Sequence, residues 1–385
     1  AERLSFTAPS ITATIQEGGS LYQAQFNYEQ HGEWEGTILR KTINADGTVD
    51  HDENATGNWD AAKVLKDTGS SNRNIWTVLP GAPYIGNWNN WTTDDANKSE
   101  IEILFDQTGN TVLDYHNTTS NCSSASGVEN GTDDDVEGLI NFVRGQDYFD
   151  YNGNCNITED KDHLLGDIYH SQLVEIGTPN ATTNVIHVNH ESYWRAKNNY
   201  QSFSNSLQSR KNIIYAGAND GMLHAFNAET GMEEWGFIPP FIASKLPVII
   251  NKELDGKTRT TYDKDGNAKT RSGGTNAIFG VDGSPVIHDM FIKGLKMDGS
   301  WETIPSWHTI LMIPYGRGGA GFSVLDVTNP CVSCGQGPLH MFSIFNDAIN
   351  NKVLVADDEG NITEHSYVRG GINIRKSEEA LQATK

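Results

Sequence analysis

Short alternating segments separated by turn residues run through most of this 385-residue chain. The clearest reads "YAGANDGMLHAFNAETGMEEW" over residues 215–235: a small-residue start, an Asn-Asp-Gly turn, an alternating run, a second turn and a Trp. Polar and apolar residues that alternate with a period of two indicate β-strands, whereas helical periodicity is rare in this chain. Many short strands joined by tight turns predict a sandwich, a barrel or a propeller.

Three segments of the chain resemble one another. They read "YAGANDGMLHAFNAETG" from residue 215, "YGRGGAGFSVLDVTNP" from residue 315 and "LVADDEGNITEHSYVRG" from residue 354. Each predicts a strand, a small-residue turn and a second strand, and repetition of such units favours propeller blades. We therefore predict an all-β propeller that forms a single domain over residues 1–385.

Two polar stretches interrupt this pattern and are predicted to be insertions, at about residues 115–160 and 251–275. The alternating "SEIEILFD" (residues 99–106) is predicted to be a further strand. Few helices are expected, and the best candidates are "NWDAAKVLKD" (58–67) and "DVEGLINFVRG" (135–145).

The charge balance excludes one class of partner. Asp and Glu number 50 against 28 Lys and Arg, which gives a formal net charge of -22. A nucleic-acid backbone would be repelled by such a chain, so no nucleic-acid partner is expected. No apolar run approaches the roughly 20 residues that a membrane-spanning helix needs. This composition fits a secreted or periplasmic protein, or one that meets divalent cations.

The four cysteines indicate an oxidising compartment. Their even number in an acidic, Asn-rich chain predicts disulfides, and the simplest pairing is Cys122–Cys155 and Cys331–Cys334. The alternatives for the Cys331–Cys334 pair are a zinc half-site and a redox CxxC motif. The chain has no second CxxC, and Gly335 stands where a c-type haem motif has His, so we favour a structural disulfide.

One segment is dense in hard oxygen ligands. "DYFDYNGNCNITED" (residues 147–160) places short oxygen-bearing side chains at every second position of a Gly-containing loop, a pattern typical of calcium sites. The candidate calcium ligands are Asp150, Asn152, Asn154, Asn156 and Glu159. The spacing departs from that of an EF-hand, and the alternative is a solvated Asx-rich turn.

Residues 215–235 resemble the core blade of the PilY/PilC family, the tip adhesins and biogenesis factors of bacterial type IV pili. The likeness extends, in the same order along residues 20–330, to "RNIWT" (73–77), "FVRGQD" (142–147), "LLGDIYHSQLVEIGTP" (164–179), "FGVDGSPVIHDMF" (279–291) and "GRGGAGFSVLDVTNP" (316–330). The motif residues given a structural role by this resemblance are Asn219, Asp220, Gly221, His224, Trp235, Asp282 and Asp326.

The resemblance implies a modified seven-bladed propeller, complete or lacking its late blades, that is exported through the periplasm. It implies an extracellular place at the pilus tip or outer cell surface, with pilin or minor pilins as partners. It further implies a role in pilus extension and in adhesion to host cells or abiotic surfaces, with calcium dependence in some members. The family's usual calcium nonapeptide has no clean copy here, so the Asp150 loop is a separate candidate.

Two other functions are compatible with a propeller. A quinone-dependent dehydrogenase has blades similar to residues 215–235, but it would repeat the docking tryptophan in most blades, and one strong copy is present. A periplasmic scaffold for outer-membrane assembly would carry more uniform blades without the long insertions. We therefore predict a non-enzymatic pilus protein.

Overall fold

The computed structural model describes residues 11–12, 19–28, 32–107, 112, 132–152, 154, 156–254, 257–262, 267–272 and 274–366. The predicted pairing of Cys122 with Cys155 lies outside these residues. Among them, no helix is long and apolar enough to cross a membrane.

Strands are the main elements of the described chain. They are β1 (Ile11–Thr12), β2 (Gly19–Asn27), β3 (Glu35–Ile43), β4 (Trp59–Asp60), β5 (Ile75–Trp76), β6 (Val174–Ile176), β7 (Ile213–Gly217), β8 (Leu223–Asn227), β9 (Glu233–Phe237), β10 (Thr258–Tyr262), β11 (Ala268–Ser272), β12 (Val286–Ile292), β13 (Ser306–Pro314), β14 (Gly321–Asp326), β15 (Leu339–Asp347), β16 (Lys352–Ala356) and β17 (Ile362–Ser366). The α-helices are α1 (Ala61–Thr68), α2 (Asp95–Asp106), α3 (Thr132–Arg144), α4 (Glu191–Lys197), α5 (Tyr200–Ser206) and α6 (Pro240–Ala243).

These strands form three larger sheets and one hairpin. The N-terminal sheet has the order β1-β2-β3-β4, and the C-terminal sheet is a six-stranded meander from β12 to β17. The central sheet has the order β5-β9-β8-β7-β6, in which only β5 pairs in parallel, with β9. Strands β10 and β11 form a separate hairpin within the predicted 251–275 insertion.

The central sheet is covered on both faces, so every residue of β7 and β8 is buried. Successive side chains of a strand point to opposite faces. Tyr215 and Leu223 therefore pack with Leu311 and other residues of the C-terminal sheet. Ile214 and Phe226, from the opposite face, pack with the N-terminal sheet and α1. The three sheets thus stack face to face, in the manner of neighbouring blades, and the predicted all-β class is confirmed.

Helices α2 and α3 form a second hydrophobic core beside this stack. Helix α2 corrects a prediction, because residues 99–106 form part of a helix and not a strand. Ile101, Leu104 and Phe105 are buried at i, i+3 and i+4, whereas Ile103 is 55% exposed. Since the same letters also alternate, the strand pattern was present in the sequence, but burial follows the helical period. Helices α1 and α3 overlap the two segments predicted to be helical.

Candidate functional site

The turn between β7 and β8 is where the motif residues begin to converge. Gly221 has φ of 94°, a left-handed conformation that favours glycine, and a Cβ there would lie 2.8 Å from Leu246 Cδ2. The backbone N–H of Met222 donates to Asp220 Oδ1 at 3.1 Å. The Asn219-Asp220-Gly221 segment is therefore a tight turn, as its composition predicted.

A buried chain of charged side chains crosses the central sheet from this turn. His224 Nε2 lies 3.1 Å from Asp220 Oδ2, and its Nδ1 lies 2.7 Å from Glu233 Oε1. Arg73 in turn donates to both oxygens of Glu233, at 2.8 and 2.9 Å. The side chains of Arg73 and His224 are fully buried, and those of Glu233 and Asp220 are 2% and 6% exposed. We call these four residues the buried charge network.

The members of the buried charge network stabilise one another's charged forms. Burial opposes every charged form, but the opposite charges in contact outweigh it. The pKa of His224 is accordingly raised to about 9 by Asp220 and Glu233. The pKa of Asp220 and that of Glu233 are both lowered, by His224 and by Arg73. At neutral pH Arg73 and His224 are therefore cations and Asp220 and Glu233 are anions, so the network has a net charge of zero.

Asn219 joins the turn to two other motifs. Its Nδ2 donates to Asp167 Oδ2 at 2.7 Å, and its Oδ1 accepts from the backbone N–H of Gly280 at 3.1 Å. Asp167 is buried, and burial raises its pKa to about 7. Asp282, also buried, accepts from His170 Nδ1 at 2.8 Å. The segments 164–179, 215–235 and 279–291 therefore meet at one place, although they lie far apart in sequence.

Trp235 lies at the contact between the central sheet and the C-terminal sheet. Its indole is fully buried and donates from Nε1 to the carbonyl of Pro330 at 2.9 Å. Asp326, at the end of β14, accepts from His308 Nδ1 at 2.6 Å and from the backbone N–H of Thr328. Burial opposes the charge on His308, but Asp326 and Glu302 raise its pKa. The seven predicted motif residues thus lie at turns and at contacts between the sheets, and their structural role stays a prediction.

Sequence reasoning missed Arg73 and Glu233 as members of this site. The partner of Arg73 is Glu233, whereas the next residue, Glu234, accepts from Lys211 Nζ at 2.9 Å. Arg144 of "RGQD" is also buried, and it donates to the carbonyl of Arg73 while Arg73 donates to the carbonyl of Arg144, both at 2.9 Å. Burial, more than the neighbouring Arg73, lowers the pKa of Arg144 to about 10. In the sequence, both arginines lie next to apolar residues, in "RNIWT" and "FVRGQD", and this placement is the feature that could have indicated their burial.

The predicted calcium loop follows α3 and has a regular geometry. The side-chain oxygens of Asn152, Asn154 and Asn156 accept from backbone N–H groups two residues further on. Their amide nitrogens face the carboxylate of Glu159, with Asn154 at 2.8 Å and Asn156 at 3.3 Å. Asp150 lies at the buried start of the loop with φ of 48°.

The loop therefore brings four of the five candidate ligands together, but with nitrogen rather than oxygen facing the carboxylate. A calcium ion takes oxygen ligands, so the three amides would have to turn over and give up their turn hydrogen bonds. Among the described residues, no group of three or more His, Cys, Asp or Glu could hold a metal ion. Calcium binding at this loop stays a prediction.

Cys331 and Cys334 form a disulfide in the turn that follows β14. The neighbouring Ser333 hydroxyl donates to Glu234 Oε2 at 2.8 Å. The disulfide therefore lies against the end of β9, close to the carbonyl of Pro330 that Trp235 binds, and belongs to the contact between two sheets.

The buried charge network makes the stability of the fold depend on pH. Folded protein keeps the proton on His224 up to about pH 9, whereas an unfolded His releases it near pH 6.5. The stability from this proton is fully present below pH 6.5 and is lost as the pH rises to about 9. We expect the urea midpoint to fall between pH 6.5 and 9.5, and to fall less in His224→Gln. The exposed His288→Gln should retain the full decrease, and equal slopes in all three proteins would contradict the assignment.

Comparison with known proteins finds similarity to one family. The family model of the PilY1 beta-propeller domain matches residues 165–354. The type IV pilus biogenesis factor PilY1 of Pseudomonas aeruginosa strain UCBPP-PA14 is 26% identical over 331 residues, which are 85% of this chain and 23% of that protein. A PilY1 homolog of Xylella fastidiosa, also a type IV pilus biogenesis factor by name, is 28% identical over 194 residues, which are 50% of this chain and 13% of that protein.

The family match confirms the predicted beta-propeller. The crystal structure of the C-terminal domain of Pseudomonas aeruginosa PilY1 is 20% identical, covers 51% of this chain and 38% of its own, and has a TM-score of 0.25. A TM-score of this size supports no statement about the fold, so the assignment depends on the family model. The chain spans 23% of the length of the first of these relatives.

Proposed function

Because residues 165–354 belong to the PilY1 beta-propeller family, we propose that this chain serves type IV pilus biogenesis as a non-enzymatic, extracellular protein. Pilin or minor pilins are its partners, and its place is the pilus tip or the outer cell surface. The observation that carries the proposal is the convergence of the motifs of residues 164–179, 215–235 and 279–291 on one buried centre. Those segments are the ones on which the resemblance to pilus proteins depends.

The chemistry of that centre supports a structural role. Arg73, His224 and Glu233 are the kinds of residue that acid–base catalysis uses, but each is buried and bound to another member of the network. A catalytic group must reach the proton that it transfers, and these side chains have no access to a substrate. The network therefore fits a rigid propeller whose loops carry the binding surfaces.

The proposal is tested in the bacterium that encodes the chain, with the full-length gene. We expect a deletion strain to show few surface pili by electron microscopy and to recover them when the wild-type gene is restored. A complementing gene with Trp235→Ala should fail to restore pili, whereas the exposed Trp194→Ala should restore them. Normal pilus numbers in the deletion strain would overturn the role in biogenesis.

Adhesion and calcium are the finer parts of the proposal. The segment from 147 to 160 supports a calcium role because it places three Asn side chains beside the Glu159 carboxylate, where their oxygens could join it as ligands once the amides turn over. We expect calorimetric titration of the wild type with calcium to give binding heat. Glu159→Gln should weaken the calcium affinity at least about tenfold, since carboxylates dominate calcium sites. The exposed Glu229→Gln is the matched control, and equal heats in all three proteins would show that the loop is an ordinary turn.

A further inference from the structure

An open groove lies where the α4–α5 segment meets the β12–β13 hairpin. Its volume is about 460 Å³, within the range of small-molecule sites. Its lining includes three aromatic rings, one Pro and two polar side chains: Phe203, Phe291, Trp307, Pro305, Lys197 and Asn199. We call it the aromatic groove. It lies apart from the calcium loop and from the buried charge network, and of its aromatic residues only Phe291 belongs to a segment that resembles the pilus proteins.

The aromatic rings of the groove are held by one another. Phe291 and Trp307 are cross-strand partners in β12 and β13, with ring centroids 5.5 Å apart. Tyr200 of α5 meets the Trp307 ring edge to face at 4.8 Å. Phe291 is nevertheless 40% exposed, so part of its ring is open to a ligand. A rigid, partly exposed aromatic surface can stack against the C–H face of a sugar ring.

The polar side chains of the groove favour an anionic ligand. Lys197 lies 4.9 Å above the Trp194 ring, and no carboxylate among the described residues pairs with it. None of the residues that line the groove is acidic, although the chain carries a net charge of -22. An unpaired ammonium in an acidic protein gives local complementarity to a carboxylate. Asn199 is exposed beside it, with φ of 56°.

The hydrogen bonds of the groove disfavour a proline-rich peptide, the other ligand that aromatic grooves take. Such grooves commonly rely on a free Trp N–H to bind a peptide carbonyl. Here Trp307 Nε1 donates to the carbonyl of Asn198 at 2.8 Å, and Asn198 Nδ2 donates to the carbonyl of Trp194 at 3.0 Å. The ring surfaces remain for stacking, but the indole donor is already occupied.

We propose that the aromatic groove binds an acidic sugar, with a pyranose ring against Phe291 and Trp307 and its carboxylate beside Lys197. An acidic sugar would be the ligand class for the adhesive part of the proposed function, so this inference rests on the proposed function. Binding is measured on purified protein without pili, so its failure and the failure of the pilus role are distinguishable.

The test titrates tri-galacturonate into the purified chain by calorimetry, with its methyl ester as the neutral counterpart. We expect the acid to bind about threefold to fivefold more tightly than the ester, the range of an exposed ion pair. Phe291→Ala should weaken binding about tenfold through the lost ring contact. Lys197→Gln should make the acid and the ester equal.

Met290→Ala is the matched control, because Met290 is adjacent, is 41% exposed and lies on the opposite face of β12. It should bind the acid as the wild type does. The proposal is overturned if the acid does not bind, if the ester binds equally to the wild type, or if Phe291→Ala retains full affinity. Decaproline is titrated in parallel, and binding of the peptide in place of the sugar would also overturn it.

Discussion

Glu233→Gln is expected to lower the free energy of unfolding by about 3–5 kcal/mol, the cost of leaving a buried charge without its partner. Arg73 donates twice to this carboxylate, and its side chain is fully buried. His224 loses the same partner from Nδ1. A neutral amide keeps the shape of the side chain, so the loss reports charge rather than packing. Urea unfolding followed by Trp fluorescence measures it.

Glu234→Gln is the matched control, because it changes the next residue of the same strand in the same way. The side chain of Glu234 is also buried, at 6% exposed, but its partner Lys211 is 37% exposed and stays solvated when the pair is lost. We expect the control to lose about 1–2 kcal/mol, because hydrogen bonds to a charged group are weakened but no buried charge is left without a partner. If both variants lost the same free energy, the buried charge network would not be the source of stability that its geometry indicates.

Trp235→Ala is expected to lower the free energy of unfolding by about 3–5 kcal/mol, because it removes a fully buried ring from the contact between two sheets. The ring lies 6.1 Å from Trp76 and 5.8 Å from Tyr215, so the cavity would open in the centre of the main core. Trp235→Phe keeps a ring but loses the hydrogen bond to Pro330. Its cost should be about 1–3 kcal/mol, from the unsatisfied carbonyl and the smaller ring.

The exposed Trp194→Ala provides the comparison for this prediction. Trp194 is 54% exposed, and its replacement should change the free energy of unfolding by no more than about 0.5 kcal/mol. Thermal and urea unfolding of the three variants distinguish the two positions. A loss under about 1 kcal/mol in Trp235→Ala would mean that the sheets are held together elsewhere.

Sequence patterns were sufficient where one local signal decides the structure. The turn at Gly221 and the strands around it could be predicted, because the glycine conformation and the alternation are both local. Residues 99–106 could not, since Ile101, Ile103 and Phe105 alternate like a strand while Ile101, Leu104 and Phe105 follow a helix. Their burial beside α3 decides between the two readings, and that contact is not local.

The buried charge network was beyond sequence reasoning for a similar reason. Arg73 and Glu233 are 160 residues apart, and isolated charges in a sequence are most often solvated. Only the assembled sheets bring them together. In the calcium loop, the spacing of the Asn residues is local and brings them together, but the orientation of their amides depends on the hydrogen bonds to the backbone and to Glu159. The predicted calcium site is therefore neither confirmed nor excluded by the fold.

The parallel pairing of β5 with β9 has a consequence for the order of folding. Ile75 pairs with Gly236, so the chain must close a loop of about 160 residues before β5 gains its partner. Loop closure of this kind is slow, because its entropy is lost before the contacts form. During synthesis, which starts at the N-terminus, the apolar segment that forms β5 therefore stays unpaired until residue 237 has been made. Assistance by a holding chaperone during synthesis or export would be most valuable in that interval.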